Sequence, residues 1–322
     1  MGMIVKRGRV IDDLGDAPRL AAIGAFDGVH VGHRRIIQEL VARSRRARGL
    51  ALAVTFEPHP MHVISPAAAL PLLMTPAAKA AALAGLGVDV LVTLEFDREL
   101  AAMEAADFAR DVLAGDLRSR EVLVGWNFTF GRGGRGDPAL LRRLGPGLGF
   151  STTVFPPVTV AGTVASSTAI RGLVQRGEVT AAAALLGRPY ALSGEVRRGA
   201  GRGRALGFPT ANVGLPAGLV HPHAGVYAAR VCRDSAGHGP ALPAVANIGM
   251  RPTFAGGAAP VLEVHVFDFD ADLCGQELLV EFVSRLRDER RFASPGELAL
   301  QITRDVSAAR AALRRPFGGA PD

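Results

Sequence analysis

The chain has 322 residues, 48% hydrophobic and 21% charged, with a formal net charge of +7. That length accommodates two domains with separate cores, and the composition excludes a disordered, collagen-like or disulfide-dense chain. Cys232 and Cys274 are too few for a disulfide framework or a zinc site, Met1 to Arg9 lacks the apolar core of a signal peptide, and no apolar run approaches membrane-spanning length. The expected location is cytoplasmic. All but two of the 37 basic residues are arginine, spread along the chain, which reads as GC-rich coding more than as a binding patch. No nucleic acid or membrane partner is expected, and a basic surface steers small anions such as nucleotides.

Leu20 to Phe26 is predicted to be a short buried strand, and Arg34 to Arg48 a helix with Ile36, Ile37, Leu40 and Val41 on one face. Between them lies Gly24-Ala25-Phe26-Asp27-Gly28-Val29-His30-Val31-Gly32-His33, two imidazoles three residues apart among glycines. The first N–H groups of a helix have no internal partner and attract anions. Gly28 and Gly32 let a ligand reach that backbone, and His30 and His33 can each donate to a phosphate oxygen.

Further strands are predicted at Leu50 to Phe56, Val88 to Leu94, Glu121 to Gly125 and Thr152 to Phe155, alternating with helices. This is the pattern of a parallel α/β sheet, whose ligands bind beyond the carboxyl ends of the strands. That edge carries His59, in Thr55-Phe56-Glu57-Pro58-His59-Pro60, and Asn127 and Phe128, in Gly125-Trp126-Asn127-Phe128-Thr129-Phe130-Gly131. Read alone, Asn127 suits a turn as well as a ligand, and the aromatics suit a core as well as a flavin. Ser166-Ser167-Thr168 and Arg171 open a helix predicted over Thr168 to Arg176. They suit an ordinary N-cap, and they also suit a polyphosphate. A helix over Val179 to Leu186 follows, and the boundary is placed there, giving domains 1–186 and 187–322.

From Ala191 onward strands follow one another: Gly225 to Cys232, Leu242 to Ile248, Val261 to Phe269 and Glu277 to Val283. They predict an antiparallel barrel, closed by a helix over Pro295 to Leu313. Gly199 to Asn212 is a glycine-spaced loop able to nest phosphate, without the Gly-Lys-Ser/Thr of a Walker A loop. Thr210 and Asn212, two residues apart, turn both oxygens to one side, a donor pair acceptable to Mg²⁺. A glycine-rich hairpin reads equally well from these residues alone. Alternation puts Glu263, His265 and Phe267 on one strand face and Leu262, Val264 and Val266 on the other.

The turn from Gly24 to His33 resembles the HxGH signature of nucleotidylyl transferases and, with Phe-Asp-Gly ahead of the first His, the bacterial bifunctional riboflavin kinase/FAD synthetase family. Further resemblances follow in that family's order. Gly125 to Gly131 is similar to GxNFxFG, Ser166 to Arg171 to SSTxxR, and Gly201 to Asn212 to GRGRxLGFPTAN. Asn247 to Phe254, Leu262 to Asp268 and Arg287 to Phe292 also match family segments.

The resemblance implies an N-terminal Rossmann-like nucleotidylyl transferase domain and a C-terminal β-barrel kinase domain, with ATP, riboflavin and FMN as substrates and Mg²⁺ as cofactor. It implies that Gly24, Phe26, Asp27, Gly28, His30, Gly32, His33, Ser166, Ser167, Thr168 and Arg171 bind ATP for adenylyl transfer, with His30, His33 and Arg171 catalytic. It sets His59, Asn127 and Phe128 near flavin or nucleotide. In the kinase it implies ATP binding by Gly201, Arg202, Gly203, Gly207, Phe208, Pro209, Thr210 and Asn212, and Mg²⁺ on Thr210 and Asn212. Glu263 is the implied general base, and Arg287, Glu289 and Phe292 lie on the flavin side. Val164-Ala165 and Cys274 depart from the family pattern. A kinase with a weak adenylylating half and a flavin- or nucleic-acid-binding protein are the rival readings, and the sequence is compatible with a homo-oligomer.

Overall fold

The computed structural model describes residues 2–9, 11, 14–198, 203, 206–233, 239–252 and 258–314. Gly201 and Arg202 of the expected nucleotide loop lie outside them. The chain folds as two compact units, Met1–Ser166 and Ser167–Asp322.

The first unit is built on strands β1 (Ile4–Arg7), β2 (Arg19–Ile23), β3 (Leu50–Glu57), β4 (Val90–Glu95), β5 (Ser119–Gly125) and β6 (Ser151–Phe155). They form a parallel six-stranded sheet in the order β1-β4-β3-β2-β5-β6. Its helices are α1 (Val31–Arg46), α2 (Pro60–Ile64), α3 (Pro76–Gly85), α4 (Arg98–Ala102), α5 (Ala105–Asp107, continuing as a π-helix over Phe108–Asp116) and α6 (Pro138–Leu148). A small hairpin, β7 (Thr159–Val160) and β8 (Thr163–Val164), ends the unit. From β2 the chain builds outward through β3 and β4, then crosses to β5 and β6, so the strand order reverses between β2 and β5. Ligands of doubly wound sheets bind at such a switch point, beyond the strand carboxyl ends.

Two apolar layers flank the sheet, one with Ile36, Ile37 and Leu40 of α1 against Leu20, Ala22 and Leu123, the other with Phe108, Val112, Leu113 and Phe130 against Ile23, Val54 and Val124. Helix α1 forms because its buried positions recur at helical spacing, its last turn carries Arg43, Arg45 and Arg46 near the negative helix end, and His30 caps its start. Arg43 further ties the helix to the sheet, donating to Glu39 at 2.7 Å, to Thr153 at 2.9 Å and to Glu121.

The second unit begins with α7 (Ser167–Gln175) and α8 (Val179–Leu186), then β9 (Tyr190–Arg197), β10 (Ala211–Val213), β11 (Gly225–Cys232), β12 (Leu242–Pro252), β13 (Ala258–Val266), β14 (Glu277–Arg287) and α9 (Pro295–Leu313). Its strands close as an antiparallel barrel in the order β10-β13-β12-β11-β14-β9. Helices α7 and α8 group with the barrel, and the Thr180 hydroxyl donates to the Val283 carbonyl of β14 at 3.2 Å. Helix α9 packs Ala309 and Val306 against Val226, Ala228 and Val245 on the outer barrel face. Its start is written in Ser294-Pro295-Gly296-Glu297: the Ser294 hydroxyl accepts from the Glu297 N–H at 3.2 Å, and the Glu297 carboxylate accepts from the Ala293 N–H at 3.1 Å.

Strand β2 stops at Ile23, three residues short of expectation, because Phe26, Gly28 and Val29 all have positive φ. Strands β1, β9 and β10 and the β7–β8 hairpin lie outside the predicted elements. Strands β12 and β14 run on to Pro252 and Arg287.

Arg287 grips Asp305 of α9 through Nε at 2.9 Å and through a terminal nitrogen at 2.7 Å, and Asp305 is 5% exposed. Asp305→Ala strands that guanidinium and is expected to lower unfolding stability in urea by about 2–3 kcal/mol.

Candidate active sites

At the switch point the chain leaves β2 through a tightly specified turn. Phe26 (φ 48°) and Val29 (φ 41°) take left-handed backbone that costs about 1–3 kcal/mol each in residues with a Cβ. Both side chains are buried, at 1% and 0% exposure, which returns about 1.5–3 kcal/mol each. The two contributions nearly cancel, so polar anchors decide whether the turn holds. The buried Asp27 carboxylate accepts from the Leu73 N–H at 2.9 and 3.2 Å. The Lys79 ammonium of α3 donates to the Ala25 carbonyl at 2.8 Å and to the Thr55 hydroxyl at 3.2 Å, and that hydroxyl donates to the same carbonyl at 3.1 Å.

Held this way, the turn stacks the imidazoles of His30 and His33 with centroids 3.6 Å apart, and His30 Nδ1 accepts from the His33 N–H at 3.3 Å. A Cβ on Gly32 would stand 3.1 Å from the His30 ring, which is why glycine occupies that position. Burial, and then the nearby His30 and Lys79, hold the His33 pKa well below the usual 6.5. Burial lowers the Lys79 pKa, against the pull of Asp27 and Glu57. Near neutral pH His33 is therefore an uncharged imidazole.

The other expected residues of this edge separate. Asn127 and Trp126 are exposed just past β5, with the Trp126 N–H donating to the Phe155 carbonyl at 2.9 Å. Phe130 is core, and Phe128 stacks on it at 5.6 Å. Of the alternating aromatics, only Trp126 faces solvent fully, at 52% exposure. His59 caps α2, its Nδ1 accepting from the Met61 N–H at 3.3 Å. The Ala165 carbonyl comes within 3.9 Å of the Cβ position of Gly32, which carries the approach to Ser166 up to the histidine turn. Ser167, Thr168 and the buried Arg171 lie on α7. The anchor residue Lys79 was not signalled by any motif; its only mark in the sequence is scarcity, since Lys6 is the other lysine.

In the barrel, strand register aligns Arg197, Asn212, Glu263, Asn247 and Val226 across five strands. Directly opposed residues share a face, so Glu263 is flanked by Asn212 and Asn247, with Cβ atoms about 4.5–5.5 Å apart. The segment before β10 is shaped by two devices. His265 Nδ1 pairs with the Pro209 carbonyl at 2.8 Å, and the Phe208 ring packs edge-on against His265 at 5.6 Å. Gly203 accepts from the N–H groups of Leu206 and Phe208 at 3.0 and 2.9 Å, and a Cβ there would stand 2.4 Å from the Phe208 carbonyl and 3.2 Å from the Thr210 hydroxyl.

A cavity of about 460 Å³ opens beside these residues, lined by Arg197, Thr210, Asn212, Val266, Asp272 and Cys274, among others. Glu263 lies one strand over from Asn212 in the same row, outside that lining. A Cβ on Gly249 would meet the Glu289 carboxylate at 2.6 Å and the Asn247 amide at 3.6 Å, so Glu289 closes over the strand that carries Asn247. Arg287 pairs with Asp305, and Phe292 lies under the guanidinium groups of Arg290 at 4.7 Å and of Arg287 at 5.8 Å.

Among the described residues no group of three or more His, Cys, Asp or Glu could hold a metal ion. Thr210 and Asn212 supply neutral oxygens to the cavity wall, a sparse donor set that fits Mg²⁺ carried in with nucleotide phosphates and retaining waters.

The histidine turn at the sheet's switch point and the Asn212–Glu263–Asn247 row of the barrel lie in different compact units, the arrangement of a two-site phosphate-transferring enzyme. Residues 15–169 match the FAD synthetase family model, and residues 186–313 match the riboflavin kinase model. The Escherichia coli (strain K12) bifunctional riboflavin kinase/FMN adenylyltransferase is 41% identical over 305 residues, covering 94% of this chain and 96% of that protein. The Bacillus subtilis protein of the same name is 36% identical, with 90% of each chain covered. A crystal structure described as a macrolide-efflux protein from Streptococcus pneumoniae superposes with a TM-score of 0.85 at 28% identity, covering 96% of this chain and 99% of that one. No helix among the described residues is long and apolar enough to cross a membrane.

The chain belongs to the bifunctional riboflavin kinase/FMN adenylyltransferase family. It phosphorylates riboflavin to FMN with ATP and adenylylates FMN to FAD with ATP, releasing pyrophosphate.

Gly203→Ala moves the Phe208 carbonyl and the Thr210 hydroxyl, and is expected to lower kcat/KM for riboflavin phosphorylation by about 10²-fold in a steady-state assay. His33 is held neutral in the folded chain, so its contribution to stability is complete above about pH 6.5 and lost as pH falls through its lowered pKa. Melting temperatures measured from about pH 7.5 to 5 are expected to fall, with a smaller slope in His33→Gln.

Proposed function

We propose that residues 1–186 carry adenylyl transfer and residues 187–322 carry phosphorylation, with the groups at each site divided as follows. Support for the first comes from the stacked, glycine-backed pair of buried His30 and half-buried His33 at the switch point of a parallel sheet. There an FMN phosphate oxygen attacks the α-phosphorus of ATP, the bond from that phosphorus to the β-bridging oxygen breaks, and pyrophosphate leaves. The attacking phosphate is already anionic, so no side-chain nucleophile is needed and positioning with charge stabilisation carries the rate.

In this assignment His30 and His33 donate N–H bonds to phosphate oxygens, with Gly24, Phe26, Asp27, Gly28 and Gly32 shaping the turn that presents them. Ser166, Ser167, Thr168 and Arg171 take the leaving phosphates, Arg171 matching the growing negative charge with a forked donor set. His59, Asn127 and Phe128 are assigned to the flavin or nucleotide end.

In the barrel, the observation that carries the reading is the placement of Glu263 beside Asn212 in one row. The ribityl 5′-hydroxyl gives its proton to the Glu263 carboxylate as its oxygen bonds to the γ-phosphorus, and ADP leaves. Gly201, Arg202, Gly203, Gly207, Phe208 and Pro209 are assigned to ATP binding. Thr210 and Asn212 would hold Mg²⁺, which would neutralise phosphate charge. Glu289 and Phe292 are assigned to the flavin side, with Arg287 contributing through its bracing of α9. The same reading puts the enzyme in the cytoplasm, with small-molecule partners and a homo-oligomer left open.

The test separates flavins by chromatography after incubation with ATP and Mg²⁺, starting from riboflavin or from FMN. Glu263→Gln is expected to abolish FMN formation, by 10³-fold or more on the order of a lost general base, and to spare conversion of FMN to FAD. His30→Ala is expected to do the reverse. Loss of both activities in either folded variant overturns the assignment.

A further inference from the structure

We propose that Lys79 is a positioning residue for FMN adenylylation, its ammonium clamping the Ala25 carbonyl and the Thr55 hydroxyl so that the left-handed turn presents His30 and His33 in working geometry. The inference rests on the assignment of that turn to adenylyl transfer and deepens it.

The turn needs such a clamp. Its two strained non-glycine residues, Phe26 and Val29, are compensated by burial to within a few kcal/mol, so the ordered state hangs on the polar contacts at its ends. Asp27 anchors the middle by accepting from Leu73. Lys79 anchors the entry, one residue ahead of Phe26, by the 2.8 Å bond to Ala25 and the 3.2 Å bond to Thr55. Thr55 closes a three-membered ring of hydrogen bonds by donating to the same carbonyl. A point donor with three rotatable N–H bonds fits between a carbonyl and a hydroxyl, whereas a planar guanidinium does not. In a chain where all but two of 37 basic residues are arginine, lysine occupies this slot.

Lys79 acts on the imidazoles through charge as well as through the backbone. The titratable groups bearing on His33 are His30 and Lys79, and those bearing on Lys79 are Asp27 and Glu57. Removing the ammonium leaves His33 easier to protonate, because one of the charges opposing its imidazolium form is gone.

The experiment measures both reactions in the full-length enzyme carrying Lys79→Met, Lys79→Arg or, in parallel, His30→Ala. The expected result for Lys79→Met is a loss of about 10²-fold in kcat for FMN to FAD, with FMN formation from riboflavin at the wild-type rate. The acid limb of its kcat/KM profile for FMN is expected to move to higher pH, a shift that general destabilisation does not produce, and Lys79→Arg is expected not to restore the rate. Wild-type FAD synthesis with an unmoved acid limb overturns the inference, and so does an equal loss of both activities in folded protein. If Lys79→Met does not fold, Thr55→Val takes its place: about a tenfold loss confined to FAD synthesis supports the clamp, and a wild-type rate overturns it. If His30→Ala retains FAD synthesis, the site assignment itself fails, which distinguishes that failure from the failure of Lys79 alone.

Discussion

Everything in the N-terminal half turns on a backbone that ordinary side chains resist. Between the end of β2 and the start of α1 the chain must turn within a few residues, and it does so with Phe26 and Val29 at positive φ. Apolar burial alone brings that arrangement only to parity. What tips it is a set of long-range polar contacts, Leu73 to Asp27 and Lys79 to Ala25, both supplied by the stretch between β3 and β4. The sheet core, through Val29 and Phe26, and the helix cap, through His30, are consequently parts of one device. Its geometry keeps the two imidazoles stacked, and burial, with His30 and Lys79 nearby, holds the His33 pKa down.

The barrel solves its positioning problem by register. Antiparallel pairing brings together residues far apart in the chain, Asn212 and Asn247 on either side of Glu263, with no special loop needed to aim them. Closure of the strands fixes that row on both sides. In the short segment before β10, His265 and Gly203 set the path of Pro209 and Thr210. Arg287 illustrates how the last strand is braced: its guanidinium is committed to Asp305, so the chain leaving β14 toward Glu289 and Phe292 departs from a fixed point.

Local chemistry was legible where it is local. Helices α8 and α9 match expectation residue for residue, because Gly187 ends one and Ser294-Pro295 with Glu297 begins the other. The parallel sheet and the barrel were readable from period and spacing, and the alternation that sets Glu263 apart from Leu262 and Val264 holds in the structure. Illegible features were those made by distance along the chain. Nothing near Lys79 announces that it meets a carbonyl 54 residues earlier. The pairing of Arg287 with Asp305 depends on α9 docking, and the early stop of β2 depends on strain that propensity does not register. The aromatics after β5 were ambiguous for the same reason: only packing separates the core Phe130 from the solvent-facing Trp126.

The order of elements also has a consequence during synthesis. Every strand of the parallel sheet is complete by Phe155, whereas the barrel cannot close until β14 has paired with β9 and α9 has covered Val226 and Val245. Domains fold as units and from the N-terminus as the chain emerges. The histidine turn is thus formed while the kinase strands are still being made, and a chain broken off after Val213 but before Glu277 carries a finished sheet and an open barrel in which the β9 edge that β14 would cover is a site for aggregation.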